Sequence, residues 1–210
     1  MTDFFDLVRQ DYSDVYATAT IRGTYIQEAR CRVCKLAARK RVPPLIIEWE
    51  KGSDVIGDFT WPGGLEEVVL RESVRDALMS NHPSGVRFDQ VEMIQKDGLK
   101  IPRKPAKMKN RVWLPYLGPP LWSLDVTSWC RLDIEKSKRS IVIECTECER
   151  SRMVVHDSTA PLVIKTGTWD GSEFFKIREF GNLVFAVARV SRLISESGFS
   201  NVEMKLRGSI

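Results

Sequence analysis

Four of the five cysteines of this 210-residue chain fall into two Cys-x-x-Cys pairs, Cys31/Cys34 and Cys145/Cys148, and Cys130 stands apart. A Cys-x-x-Cys turn presents two thiolates from one tight knuckle. Two such knuckles make the tetrahedral four-sulfur set that suits zinc. A closed set leaves no position for water, so the expected ion is structural, one Zn2+ per chain. With 110 residues between Cys34 and Cys145, the ion would tie two distant stretches together in a lengthened zinc-ribbon arrangement. Rival chemistries are a redox pair, two separate sites, or a site drawing on Cys130 or His156. A redox Cys-x-x-Cys opens a helix in a βαβ setting. Here Cys34 runs into Lys35, a basic stretch and Pro43-Pro44, and Cys148 runs into Glu149-Arg150.

Other reactive side chains are sparse. The chain has only two histidines, His82 and His156, and no serine or cysteine is placed with a partner base. No nucleophile–base set and no Gly-rich phosphate loop can be assembled, so an enzyme is not expected. Asp54, Asp58, Glu66 and Glu67 read as solvated acids near a turn. Glu144 and Glu147 flank the second knuckle, where surface charge is the default and support of a metal ligand the sharper alternative.

The elements that must position the cysteines repeat. Leu70, Val74, Ala77 and Leu78 form an apolar stripe that predicts a helix over 67–81, ended by Asn81-His82-Pro83-Ser84-Gly85. Val86 to Val91 then alternates as a half-buried strand does. Ala186, Val190, Leu193 and Ile194 repeat the stripe, Ser197-Gly198 the stop, and Val202 to Leu206 the strand. Val74 and Val190 are 116 residues apart, as are Leu78 and Ile194, and Val86 and Val202. Both cysteine pairs obey an offset of 114, and an apolar stretch follows each: Leu45-Ile46-Ile47 and Leu162-Val163-Ile164. The expected fold is α+β, with internally duplicated helix–strand units, mixed or antiparallel sheets, and a zinc-ribbon-like clasp of four cysteines. The organisation reads as an N-terminal repeat over 1–94, a connecting stretch over 95–144 and a C-terminal repeat over 145–210, in one compact unit. In the connection, Leu132–Ile134 and Ile141–Ile143 are expected to pair around the polar turn 135–139.

Composition narrows the setting. A hydrophobic fraction of 43% suits a globular core. No run of about 18 apolar residues occurs, so no membrane span is expected. The acidic start Met1-Thr2-Asp3 is not a secretory signal, and an odd cysteine count argues against disulfides, which points to the cytoplasm. The net charge of +4 is concentrated between Lys100 and Arg111. That stretch, with Arg103, Lys104, Lys107, Lys109 and Arg111, reads as an exposed loop. The following Trp113 to Trp122 segment is rich in aromatics, including Tyr116, and reads as either packed or an exposed contact surface.

The order of these motifs resembles the double-CxxCG-motif family, which includes immunity proteins to contact-delivered bacterial toxins, described mainly from myxobacteria. The likeness is strongest from Ser172-Glu173-Phe174-Phe175 to Gly198-Phe199-Ser200-Asn201-Val202-Glu203-Met204, and weaker at Phe4-Phe5. The family carries glycine after each second cysteine, whereas this chain has Lys35 and Glu149. Glycine lets such a knuckle turn through positive φ without strain. The resemblance implies a protein that neutralises a cognate toxin by binding it, and a surface such as Trp113, Tyr116 and Trp122 fits that role. A net positive inhibitor fits an acidic or neutral toxin better than a basic nuclease. The alternative is a zinc-ribbon nucleic-acid-binding protein. In it the basic loop would contact phosphates and Trp113, Tyr116 or Trp122 would stack bases.

Overall fold

The computed structural model describes residues 2–10, 15–22, 25–35, 37–50, 55–63, 67–94, 116–147, 151–157, 159–181 and 183–210. The first half contains β1 (Asp3–Val8), β2 (Ala19–Ile21), β3 (Tyr25–Arg30), β4 (Ala37–Arg41), β5 (Ile46–Trp49), β6 (Phe59–Thr60), β7 (Val69–Arg71), α1 (Glu72–Met79), β8 (Val86–Gln90) and β9 (Glu92–Met93). The second contains β10 (Leu121–Val126), β11 (Trp129–Cys130), β12 (Arg139–Glu144), β13 (Ser151–Val155), β14 (Leu162–Val163), β15 (Phe174–Ile177), β16 (Phe185–Val187), α2 (Ala188–Glu196) and β17 (Glu203–Ser209). Mixed sheets with few helices make this an α+β fold.

Strand pairing crosses the boundaries drawn from the sequence. A six-stranded sheet has the order β11-β15-β16-β1-β17-β14, and a four-stranded sheet the order β6-β7-β10-β8. The first strand of the chain therefore lies between two strands of the C-terminal stretch. Strand β10, from the connecting stretch, lies between two strands of the N-terminal one. A three-stranded sheet, β2-β5-β9, and two hairpins, β3-β4 and β12-β13, complete the arrangement.

The registers of the two halves coincide. Parallel pairs Ile46↔Glu92 and Leu162↔Gly208 are each displaced by 116 residues in both partners. Antiparallel pairs Phe59↔Leu70 and Phe174↔Ala186 match with offsets of 115 and 116. In the cysteine hairpins, Gln27↔Arg39 and Arg30↔Ala37 correspond to Ile141↔Met153 and Glu144↔Ser151, all displaced by 114. Strand β10 takes the place of β1: Trp122↔Leu70 and Trp122↔Gln90 correspond to Phe5↔Ala186 and Phe5↔Leu206.

Each helix is shorter than its apolar stripe. The stripe predicts a helix from residue 67, yet Val68, Val69 and Leu70 are all buried and β7 begins at Val69. Three consecutive buried apolar residues need cover on both faces, which a central strand receives and a surface helix does not. Val184 to Val187 behaves in the same way before α2. Within the helices Val74 and Leu78, and Val190 and Ile194, supply the buried stripe.

The expected pairing of Leu132–Ile134 with Ile141–Ile143 does not form. The Asp133 carboxylate accepts the Lys136 amide at 3.1 Å, and the Ser137 amide donates to Asp133 O at 3.0 Å, so this stretch coils into a turn. Leu132 makes only an isolated bridge with Ile164. Strand β12 instead pairs with β13 across the second cysteine knuckle.

Two apolar clusters hold the sheets together. The larger is built around Phe4, Phe175 and Phe185, whose ring centroids lie 5.6–5.9 Å apart. Each such ring stabilises the fold by roughly 1.5–3 kcal/mol through burial alone. The smaller joins Leu45, Ile47, Trp49, Val69, Val91, Tyr116 and Leu121. Among the described residues no helix is long and apolar enough to cross a membrane.

The halves are also stitched by two matching polar exchanges. The Ser84 amide donates to the Glu173 carboxylate at 3.3 Å, and the Glu173 amide donates to Ser84 Oγ at 3.0 Å. Across the molecule, the Ser200 amide donates to Asp58 Oδ2 at 2.8 Å and the Asp58 amide donates to Ser200 Oγ at 2.9 Å. Gly85 and Asn201, one residue on, both take positive φ, 78° and 61°. Asp58 and Glu67 are therefore not the solvated acids expected: Asp58 is bonded to Ser200, and Glu67 is buried. Asp54 and Glu66 lie outside the described residues.

Candidate metal centre

Both knuckles sit at hairpin tips. The β3-β4 hairpin closes on Arg30↔Ala37 and carries Cys31-Arg32-Val33-Cys34-Lys35 in its turn. The Lys35 amide donates to Cys31 O at 3.0 Å, which curls the turn back over the first cysteine. Lys35 takes φ 61°, the left-handed conformation for which glycine would be suited. The β12-β13 hairpin closes on Glu144↔Ser151 and carries Cys145-Thr146-Glu147 into its turn.

The two tips meet. Cys31 Sγ and Cys145 Sγ are 3.5 Å apart, and the sulfurs of Cys31, Cys34 and Cys145 all lie within 4.8 Å of one another. A tetrahedral zinc–thiolate site with bonds of about 2.3 Å separates its sulfurs by about 3.8 Å, so this spread fits one ion. None of the three is in a disulfide, and the Cys31–Cys145 sulfur separation of 3.5 Å is far beyond a disulfide bond. Cys145 is buried and the other two are half-buried. Cys148, the expected fourth ligand, lies outside the described residues. The chain thus brings together three thiols that can hold a metal ion.

Glu147 supplies the second layer. Its Oε2 accepts the Cys31 thiol at 3.0 Å and the Val33 amide at 3.2 Å, so one knuckle's carboxylate grips the other knuckle's backbone. That hydrogen bond holds the Cys31 thiol up, to about 12, and the same bond lowers the Glu147 carboxyl. A divalent cation reverses this preference, because a coordinating thiol gives up its proton to the metal.

The remaining sequence candidates lie elsewhere. Cys130 is buried, donates weakly to Lys176 O at 3.6 Å, and is pushed up to about 12 by burial. His156 is exposed, with Nε2 2.8 Å from Ser140 Oγ. His82 occupies an exposed turn at φ 47°. Neither belongs to the thiol cluster.

The expected contact surface changes character. Tyr116 is buried, packs against Trp49 at 6.2 Å between ring centroids, and donates its hydroxyl to Pro119 O at 2.5 Å. Trp122 is half-buried in β10, and the Arg75 guanidinium covers its ring at 4.0 Å. Tyr116 belongs to the smaller core, and Trp122 packs against the larger one from the central strand β10. Trp113 and the basic residues Arg103, Lys104, Lys107, Lys109 and Arg111 lie outside the described residues.

Glu147 is the residue that spacing undervalues. Its signal is position: it lies inside the knuckle, where a carboxylate can reach the facing turn. No family model matches the chain, and no curated protein matches it in sequence.

Proposed function

We propose that the chain is an internally duplicated binding protein, clasped by one structural zinc ion on Cys31, Cys34, Cys145 and Cys148, that neutralises a bacterial toxin in the cytoplasm by binding it. The observation that carries the clasp is the convergence of Cys31, Cys34 and Cys145 from hairpins 114 residues apart. An all-thiolate tetrahedral set selects zinc or iron among the common ions. Zinc is the reading here, and a colourless metal-loaded protein distinguishes it from an iron site.

The matched registers support duplication of one ancestral unit. In that unit a first strand pairs with a strand–helix–strand segment, and the two copies exchange first strands: β1 joins β16 and β17, and β10 joins β7 and β8. A metal clasp between such halves has a structural purpose. It fixes two hairpin tips that meet through the thiols and Glu147.

The toxin-binding part rests on the motif resemblance. Tyr116 is buried and the half-buried Trp122 ring is covered by Arg75, which takes away two of the aromatics on which base stacking depended and weighs against the nucleic-acid reading. Co-expression tests the function. Cells carrying a toxin gene that neighbours this one should survive when the chain is expressed and die when it is not. Failure to rescue against every neighbouring toxin, with the chain folded and abundant, contradicts the proposal.

A further inference from the structure

The two knuckles differ in how far they face solvent. In the first, Arg32, Val33 and Lys35 are exposed, Cys31 and Cys34 are half-buried, and the bond from Cys31 to Glu147 lies at the surface. In the second, Cys145 is only 2% exposed. A reagent from solvent therefore meets Cys31 before it meets Cys145. Metal ligands are thiolates, and the thiolate is the form of cysteine that a peroxide oxidises.

The buried sulfur stands ready as a second reactant. Cys145 Sγ is 3.5 Å from Cys31 Sγ. A disulfide bond is about 2.05 Å long, so the two sulfurs need to close by about 1.5 Å. Both cysteines directly follow the last paired residue of their hairpins, Arg30 and Glu144. The closure is thus taken up by two turns and leaves the strand ladders as they are. Cys130 is the contrast: at 1% exposure inside the larger apolar cluster, it is out of reach of both the reagent and the other sulfurs.

We propose that a peroxide converts this clasp from a zinc cross-link into a disulfide between Cys31 and Cys145. The inference rests on the zinc clasp put forward above. The Cys31 thiolate attacks one peroxide oxygen, the O–O bond breaks, and a sulfenic acid forms while hydroxide leaves and takes up a proton. The Cys145 thiolate then attacks the Cys31 sulfur. The S–S bond forms and the S–O bond breaks, with a second hydroxide leaving and taking up a proton. Two thiolates, one hydrogen peroxide and two protons thus give one disulfide and two waters. The sulfurs lose two electrons and the peroxide gains them. Rapid capture by Cys145 also keeps Cys31 from the irreversible sulfinic acid. Two thiolates remain, too few for a closed zinc site. The same two hairpin tips stay joined, so the halves exchange one cross-link for another.

Hydrogen peroxide added to the reduced full-length protein tests this. Released zinc is read with a coloured indicator, and remaining thiols are blocked with iodoacetamide in denaturant before digestion. Trypsin cuts after Arg30, Arg32 and Lys35, and a glutamate-specific protease cuts after Glu144 and Glu147, so the four knuckle cysteines fall on separate fragments. The expected product is one disulfide per chain, joining Cys31-Arg32 to Cys145-Thr146-Glu147, formed in step with loss of the zinc. Cys130 should be recovered alkylated, the oxidised protein should still unfold in one cooperative transition, and dithiothreitol with added zinc should restore the starting state. Zinc content before treatment separates the two readings: its absence contradicts the zinc clasp, whereas the fragments report on the disulfide by themselves. No disulfide in excess peroxide, a disulfide joining any other pair of cysteines, zinc retained after the bond has formed, or loss of the cooperative transition overturns the proposal.

Discussion

Cys31 and Cys145 stand 114 residues apart in the chain, yet their sulfurs are 3.5 Å apart. Each sits at the first position of its hairpin turn, directly after the last paired strand residue, Arg30 or Glu144. The closeness of the sulfurs is therefore set by two hairpins meeting tip to tip.

Glu147 gives the first test. It is exposed, so replacing it should leave the cores unchanged. Residues that orient metal ligands typically change metal affinity about 10–100-fold when replaced. E147Q keeps an acceptor for the Val33 amide but loses the charge, and it should weaken metal retention against a chelator within that range. Competition with a coloured zinc indicator measures it. Unchanged retention would make the Glu147 contacts incidental.

Lys35 gives the second. It holds φ 61° at a position where a side chain carries a conformational penalty of roughly 1 kcal/mol and glycine does not. K35G is expected to raise the stability of the metal-loaded protein slightly, by up to about 1 kcal/mol in denaturant titration. A loss of stability would mean that the Lys35 side chain makes contacts that outweigh its backbone strain.

The Ser84–Glu173 exchange predicts a pH dependence. Glu173 is lowered by its hydrogen bonds from Arg189, with burial opposing and the Ser84 amide adding to the effect. A carboxylate lowered in the folded state contributes stability that is fully present above its unfolded value, here 4.5, and that is lost as pH falls through the folded value. Denaturation midpoints between pH 7 and pH 3 should therefore fall in acid, and E173Q should start lower and fall less steeply. S84A and S200A should each cost about 1 kcal/mol, the usual worth of such a bond. A steeper acid fall in E173Q than in the parent contradicts this.

Tyr116 separates core from contact surface. Truncating a large buried aromatic costs about 3–5 kcal/mol, so Y116A should destabilise the fold strongly. Y116F, which removes only the bond to Pro119 O, should cost about 1 kcal/mol. A Y116A variant of parental stability would place this ring outside the core.

The matching registers of the two halves are legible in the sequence because helix, turn and strand keep one offset of 116, and the knuckles one of 114. The sequence hides the exchange of first strands. Apolar alternation in Phe4–Leu7 and Leu121–Val126 says that each forms a strand, but not which neighbours it takes, since pairing is a long-range choice. The helix starts are hidden too, because Val68-Val69-Leu70 satisfies a helical stripe and a buried strand equally well. The thiol cluster is legible from spacing alone.

Metal content tests the central claim most directly. The full-length protein, purified without added metal or chelator, should contain one zinc per chain by elemental analysis. C31S and C145S should lose it, together with cooperative unfolding. A chain that folds cooperatively with no bound metal, and whose C31S and C145S variants melt as the parent does, contradicts the account.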